Sequence, residues 1–170
     1  MLVLGVDPGS VITGYGLVEK SERRLRCVDA GVIRASRNAP FCERLHGVFR
    51  GLVDLMHRHG PGEMAIENVF FAKNAKSALK MGHARGAALV AAVECGVRVH
   101  EYSPNEIKQS VVGYGLARKE QVRSMVSRIL GLDFEPALDT SDALAAAICH
   151  LHTRRYDGSQ PTAAPATDTR

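Results

Sequence analysis

Four carboxylates stand out in this chain: Asp7 in LVLGVDPGS, Glu67 in MAIENVF, and the pair Asp139 and Asp142 in LDTSDALAAA. Asp7 and Glu67 each follow a short apolar run that reads as a buried β-strand. Asp139 and Asp142 are three residues apart at the start of a helical pattern, so both side chains leave the same face. A carboxylate at the end of a buried strand is costly unless something neutralises it. Four acids converging on one spot repel unless divalent cations sit among them. The chemistry such a set performs is metal-dependent hydrolysis of a phosphodiester.

The surroundings of Asp7 support that reading. Asp7-Pro8-Gly9-Ser10, followed by Thr13-Gly14, puts a carboxylate beside a glycine turn and small hydroxyl residues. Such a turn can hold a divalent cation near a phosphate. Sugar kinases and actin-like ATPases use a similar turn against nucleotide phosphates, so a phosphotransferase is a competing reading. An Asp that merely opens a β-turn is the bland alternative. Glu67 could instead serve a buried ion pair, and Asp139 could cap the last helix.

Basic and aromatic residues occur where a polyanion would need them. Lys73, Lys76 and Lys80 recur at three and four residues, with His83 and Arg85 close behind; Lys108 and then Arg118, Lys119, Arg123 and Arg128 follow. A solvated helix face accounts for any one of these groups. Phe70 and Phe71 stand together before Ala72-Lys73-Asn74, and both rings should not reach the core from one loop. One is free to stack on bases or wedge between them. His150 and His152 read as surface or core histidines rather than ligands.

The elements that must position these residues follow from periodicity. Residues 2–7, 13–19 and 25–34 read as three strands in close succession, an antiparallel meander. A helix over 41–59 carries Leu45, Val48, Phe49, Leu52, Val53 and Met56 on one stripe and stops at Gly60-Pro61-Gly62. Residues 63–67 form a strand. Residues 74–94 form a long Ala- and Gly-rich helix, whose small side chains permit close approach of a neighbouring helix or a second subunit. A strand over 97–102 leads to Ser103 and Pro104, an N-cap and first residue for a helix through 111. Further helices are predicted over 118–130 and from about Thr140 to 155. Residues 157–170, rich in Pro, Ala, Thr and Ser, are expected to be a disordered tail. The order implies one α/β domain over 1–156, a mixed sheet with helices on its faces.

Composition bounds the rest. At 170 residues, 45% hydrophobic and 24% charged, the chain is ordinary for a soluble globular protein. No apolar run reaches the roughly 18 residues of a membrane span and no signal peptide opens the chain, so a cytoplasmic location is expected. Cys27, Cys42, Cys95 and Cys149 are far apart and form no CxxC, which suggests reduced structural thiols. The net charge of +4 understates the basic surface if four acids are taken up by metal. Nucleic acid is the natural partner.

The stretches GVDPGSVITGYG, AIENVFFAKNAKSALKMGHARGAAL, EYSPNEIKQSVVGYG, ARKEQV and DTSDALAAAICH, in this order from residue 5 to about 152, closely resemble the RuvC family of bacterial Holliday-junction resolvases. The resemblance implies a ribonuclease H-like fold, a homodimer, cleavage of four-way DNA junctions, and cooperation with the RuvA–RuvB branch-migration machine. The family's metal-binding carboxylates fall on Asp7, Glu67, Asp139 and Asp142. Its junction-contacting aromatic falls on Phe70, and its basic residues for DNA binding and catalysis fall on Lys108 and Lys119. Asn68 stands where relatives commonly carry Gln, and Phe71 adds a second ring.

The mechanism expected is hydrolysis with two Mg²⁺ or Mn²⁺ ions per site, roughly 4 Å apart. One would lie between Asp7 and the Asp139/Asp142 pair and activate a water; the other, between Asp7 and Glu67, would stabilise the leaving 3′-oxygen. Lys119 would neutralise charge on the phosphate. The products would carry 5′-phosphate and 3′-hydroxyl ends. Two readings compete: the actin-like phosphotransferase, for which 170 residues leave little room, and a non-catalytic junction-binding module, which would not require four acids in one place.

Overall fold

The structure, a computed structural model, describes residues 1–22, 24–68 and 75–154. The elements run β1 (Leu2–Asp7), β2 (Ile12–Ser21), β3 (Arg24–Arg34), α1 (Phe41–His59), β4 (Glu63–Glu67), α2 (Ala75–Glu94), β5 (Arg98–Tyr102), α3 (Pro104–Val112), α4 (Lys119–Leu130) and α5 (Leu138–Thr153). Every expected strand and helix forms, most within two residues of the predicted ends. The expected tail lies outside the described residues. No helix among the described residues is long and apolar enough to cross a membrane.

The sheet has five strands in the order β3-β2-β1-β4-β5. β1 pairs antiparallel with β2, and β2 with β3. β1 to β4 and β4 to β5 are parallel. The meander and the parallel half therefore share β1 as the central strand. This is the mixed sheet that the element order implied.

Alternation along the strands divides the residues between two cores. Leu4, Val6, Leu17, Met64 and Ile66 face one way and pack with Val48, Leu52 and Met56 of α1 and Ala88, Ala91 and Ala92 of α2. Val3, Val18 and Ala65 face the other way, against Leu144 to Leu151 of α5, with α3 and α4 outside. Asp7 shares its strand parity with Val3, and Glu67 with Ala65. Both acids therefore emerge on the α5 side.

Glycine lets α5 lie directly on the sheet. A Cβ at Gly5 would sit 1.9 Å from the Ala143 carbonyl oxygen, one at Gly14 2.0 Å from the Asp139 carbonyl oxygen, and one at Gly16 2.5 Å from Leu144 Cδ2. Gly14 is the residue paired with Asp7 across the ladder. The close approach that glycine permits there is what brings the first turn of α5 beside Asp7. Thr140 fixes the same turn by donating its hydroxyl hydrogen to the Gly31 carbonyl, 3.2 Å away on β3.

Local signals were read correctly at α3 and less well at α5. Ser103 caps α3 with a complete capping box to Glu106, and Pro104 is the first residue, as expected. The last helix starts at Leu138, not Thr140, and its N-cap is Ala137. Asp139 is thus not a cap but an acid within the first turn, where the helix dipole favours it. All four cysteines are free. Only Cys149 is fully buried and Cys42 is exposed, so the expected structural role does not extend to Cys42.

Candidate active site

The carboxyl ends of β1 and β4 and the start of α5 meet at one point. Asp7 ends β1, Glu67 ends the neighbouring β4, and Asp139 and Asp142 lie one helical turn apart on α5. Asp7 is pushed up from its ordinary 3.8 to about 7, first by burial and then by the charges of Asp142, Glu67 and Asp139. Glu67 is raised as well, by burial and by Asp142, against the pull of Lys119 and Lys108. Asp7 thus senses all three of the other acids, and Glu67 senses Asp142.

Lys119, the first residue of α4, donates from Nζ to Asp142 Oδ2 at 2.9 Å. That hydrogen bond raises the lysine above its usual range despite partial burial, with the charges of Asp142, Asp7 and Glu67 adding to it. A cleft beside it is lined by Glu67, Pro104, Ile107, Lys108, Lys119, Val122, Asp142 and Ala145. The cleft therefore joins two of the acids to Lys108 and Lys119, the two lysines on which the family's basic residues fall. Arg118 is the N-cap of α4, its backbone N–H donating to the Gln121 side chain at 2.9 Å, and its own side chain is exposed.

The remaining residues are placed less centrally. Lys76 and Lys80 are exposed on the first turns of α2, on the opposite face of the sheet from α5. Phe70, Phe71 and Lys73 lie outside the described residues. Thr13 keeps its hydroxyl within the loop. It is fully buried, accepts the Gly9 N–H at 3.2 Å and donates to the Gly9 carbonyl at 2.7 Å, closing the loop after Asp7.

The donor set fits Mg²⁺ or Mn²⁺. Hard divalent cations take oxygen ligands, and four carboxylates with a protonated neighbour supply only oxygen. An acid pushed up to about 7 by burial and then by neighbouring acids is the local sign of charge that a bound cation would neutralise.

A second group of polar side chains surrounds His150, which is a core histidine as the sequence suggested, while His152 is exposed. Glu63 begins β4 on the same face as Glu67, and it is buried with His150 and beside His100. Glu63 Oε2 accepts from His150 Nε2 at 2.6 Å, and Glu63 Oε1 accepts from Arg98 and Arg154, each at 2.6 Å. Tyr102 OH meets His150 Nδ1 at 2.6 Å. Two signals could have found it. Arg98, His100 and Tyr102 alternate on one face of β5, and Asp142 and His150 lie two i+4 steps apart on α5.

A mixed β3-β2-β1-β4-β5 sheet with acids at the ends of its two central strands and on the helix laid across them defines a ribonuclease H-like nuclease frame. The family profile described as crossover junction endodeoxyribonuclease RuvC matches residues 3–150. The chain belongs to this family. It is 54% identical over 151 residues to the crossover junction endodeoxyribonuclease RuvC of Acinetobacter baumannii, covering 89% of this chain and 83% of that one. It is 52% identical over 154 residues to that of Solidesulfovibrio magneticus, covering 91% of each. Thermus thermophilus RuvC, solved in complex with a Holliday junction substrate, matches with a TM-score of 0.84 at 39% identity, over 89% of this chain and 93% of that one. The yeast mitochondrial Holliday junction resolvase Ydc2 shares the fold at a TM-score of 0.64 and 14% identity. The phosphotransferase reading of the DPGS turn is thereby set aside.

Proposed function

We propose that this chain is a structure-selective endonuclease that resolves four-way DNA junctions in recombination and repair. It nicks two strands of like polarity symmetrically, leaving 5′-phosphate and 3′-hydroxyl ends. The observation that carries this is the meeting of Asp7, Glu67 and Asp142 with Lys119 on a frame 39% identical to a RuvC solved with junction DNA.

Asp7, Glu67, Asp139 and Asp142 are the metal ligands in this reading. Two Mg²⁺ or Mn²⁺ ions held by them would supply a water of lowered pKa and neutralise charge at the scissile phosphate. Asp7, which is coupled to Asp142, Glu67 and Asp139 alike, would help to hold both ions. Lys119 reaches from its bond with Asp142 toward the phosphate, where its charge opposes the negative charge that builds up in the transition state. Lys108, across the cleft, holds the neighbouring backbone. Arg118, Lys73, Lys76 and Lys80 extend the basic track, and Phe70 or Phe71 stacks on or wedges between bases at the crossover.

Symmetric nicking requires two sites related by a two-fold axis, which a homodimer supplies. The exposed side of α2 suits that contact. Leu79, Val90 and Val93 stand out of it, 64%, 60% and 75% exposed, with Gly82 and Gly86 between them allowing a helix to approach. We read residues 1–156 as one nuclease domain followed by a tail, acting in the cytoplasm with the RuvA–RuvB branch-migration complex.

The test is nicking of a four-way junction beside a linear duplex, with Mg²⁺. Wild type should cut the junction and spare the duplex; Asp7→Asn should bind the junction as well as wild type and leave it intact. Wild-type cleavage by Asp7→Asn would remove Asp7 from the metal site.

A further inference from the structure

At the far end of α5 from the acids, Glu63, His100 and His150 each offer one ligand atom, and the three atoms lie within 4.8 Å of one another. Among the described residues this is the only such group. We propose that it is a second metal site, selective for a Zn²⁺-class transition-metal ion and separate from the catalytic acids.

Three observations carry this. First, His100 Nε2 is a buried nitrogen with no hydrogen-bond partner. It points toward Glu63 Oε2 at 3.8 Å, too long for a hydrogen bond. A buried polar atom without a partner is unfavourable, and an ion between it and Oε2 would satisfy it.

Second, the separations suit a small cation. Bonds of about 2 Å in a tetrahedron set ligand atoms about 3.3 Å apart. The observed 2.6 Å from His150 Nε2 to Glu63 Oε2 and 3.8 Å from His100 Nε2 to the same oxygen bracket that spacing.

Third, the supporting contacts are those that a ligand set needs. Glu63 Oε1 is fixed by Arg98 and Arg154, which leaves Oε2 facing the imidazoles. The hydrogen that His150 Nε2 now directs at Glu63 can sit on Nδ1 instead, where the Tyr102 oxygen accepts it, so the ring stays neutral and frees Nε2.

Two imidazoles and one carboxylate select Zn²⁺, Co²⁺ or Ni²⁺ over Mg²⁺, which prefers oxygen alone. The guanidiniums of Arg98 and Arg154 lower the affinity without closing the site. Their side chains are 70% and 43% exposed, so water screens them. A bound ion would tie β4, β5 and α5 together at one point.

The experiment uses the full chain carrying Asp7→Asn and Glu67→Gln, so that the acid cluster takes up little metal. Zn²⁺ is titrated against a chromogenic chelator, thermal unfolding is followed with and without Zn²⁺, and Co²⁺ is added for its visible spectrum. One Zn²⁺ per chain, a raised Tm and tetrahedral Co²⁺ bands are expected. Adding His100→Ala should weaken uptake by roughly tenfold or more and abolish the Tm rise. Because His100 sits at the part-exposed edge, that variant should fold with nearly the parent's metal-free Tm. Absence of Zn²⁺ binding in the parent, or equal binding after His100→Ala, overturns the proposal. His100→Cys, which restores a ligand, should recover uptake; failure to do so would also count against it.

Discussion

The two ends of α5 hold opposite solutions to the same problem, how to keep a carboxylate at the edge of a core. At the N-terminal end, burial and then acidic neighbours push Asp7 up to about 7. At the C-terminal end, burial would also raise Glu63. There the hydrogen bond from His150 and the charges of Arg154, His150 and Arg98 outweigh it and hold the carboxyl below its usual range. One end sets four acids against Lys119 and Lys108, an excess of negative charge that cations from outside would balance. At the other, the chain's own cations meet the single acid, and the polar atom left without a partner is the imidazole Nε2 of His100. A fold places unrelieved charge where function needs it and relieves charge elsewhere.

The largest expected effect tests the unbalanced end. Asp142→Asn should lower junction cleavage by roughly a thousandfold or more at saturating Mg²⁺, while Tm changes little. Full activity in Asp142→Asn, measured in single turnover, would mean that the acid excess is not the source of the chemistry.

The balanced end should respond in the reverse way. Glu63→Ala leaves His150 and two guanidiniums without their acceptor and should cost about 3 kcal/mol of stability, with cleavage well below Tm largely kept. Acid should mimic the mutation. The folded-state pKa of Glu63 lies below its ordinary 4.5, so its contribution is present above that pH and is lost as pH falls through the folded value. Urea titrations of both proteins at pH 7 and at pH 3 check this; a difference between them that does not shrink at pH 3 would refute the assignment.

Much of this contrast could be read before the fold was known, and the unread part has a physical cause. Asp7 and Glu67 were legible because a charge directly after an apolar run is anomalous by itself. Asp139 and Asp142 were legible from their spacing. Glu63 was not, since an acid at the first position of a strand is ordinary until the partner that buries it is known. That partner, His150, is 87 residues away. Gly14 lies in the GVDPGSVITGYG stretch, but its role in admitting the Asp139 carbonyl depends on strand register and helix docking, which no local pattern encodes. The start of α5 lies two residues before Thr140, and no local signature marks it because its cap, Ala137, makes no side-chain hydrogen bond.

A smaller effect, of the opposite sign to that at Glu63, is expected at Asp7 without metal. Its folded pKa is raised from 3.8 to about 7. Between those values the folded protein binds a proton that the unfolded chain has released, so stability falls as pH rises through that window. Asp7→Asn should therefore stabilise the metal-free protein at pH 8 by about 2 kcal/mol. That is half of the roughly 4 kcal/mol that three pKa units represent, because water reaches the cleft. The gain should vanish near pH 4, and chelator-treated wild type and variant compared by urea unfolding would show it. A variant less stable than wild type at pH 8 would mean that the acids do not repel.

The smallest effect separates the cations at the two ends. Lys119 is 64% exposed, so its bond to Asp142 adds little to stability, and Lys119→Ala should move Tm by no more than a degree or two. Its charge, however, holds Asp7 and Glu67 below where burial and the other acids would put them. Without it both acids rise further, and a divalent cation must displace their protons at higher pH. Lys119→Ala should then cleave about tenfold more slowly at neutral pH, with the acidic limb of the Mg²⁺-dependent rate shifted upward and junction affinity nearly unchanged. Arg98→Ala, which removes a cation from the balanced end, should leave both the rate and the limb where they were. An acidic limb that stays fixed in Lys119→Ala would remove Lys119 from the control of the acids, and one that moves equally in Arg98→Ala would show that the two ends of α5 are not electrically independent.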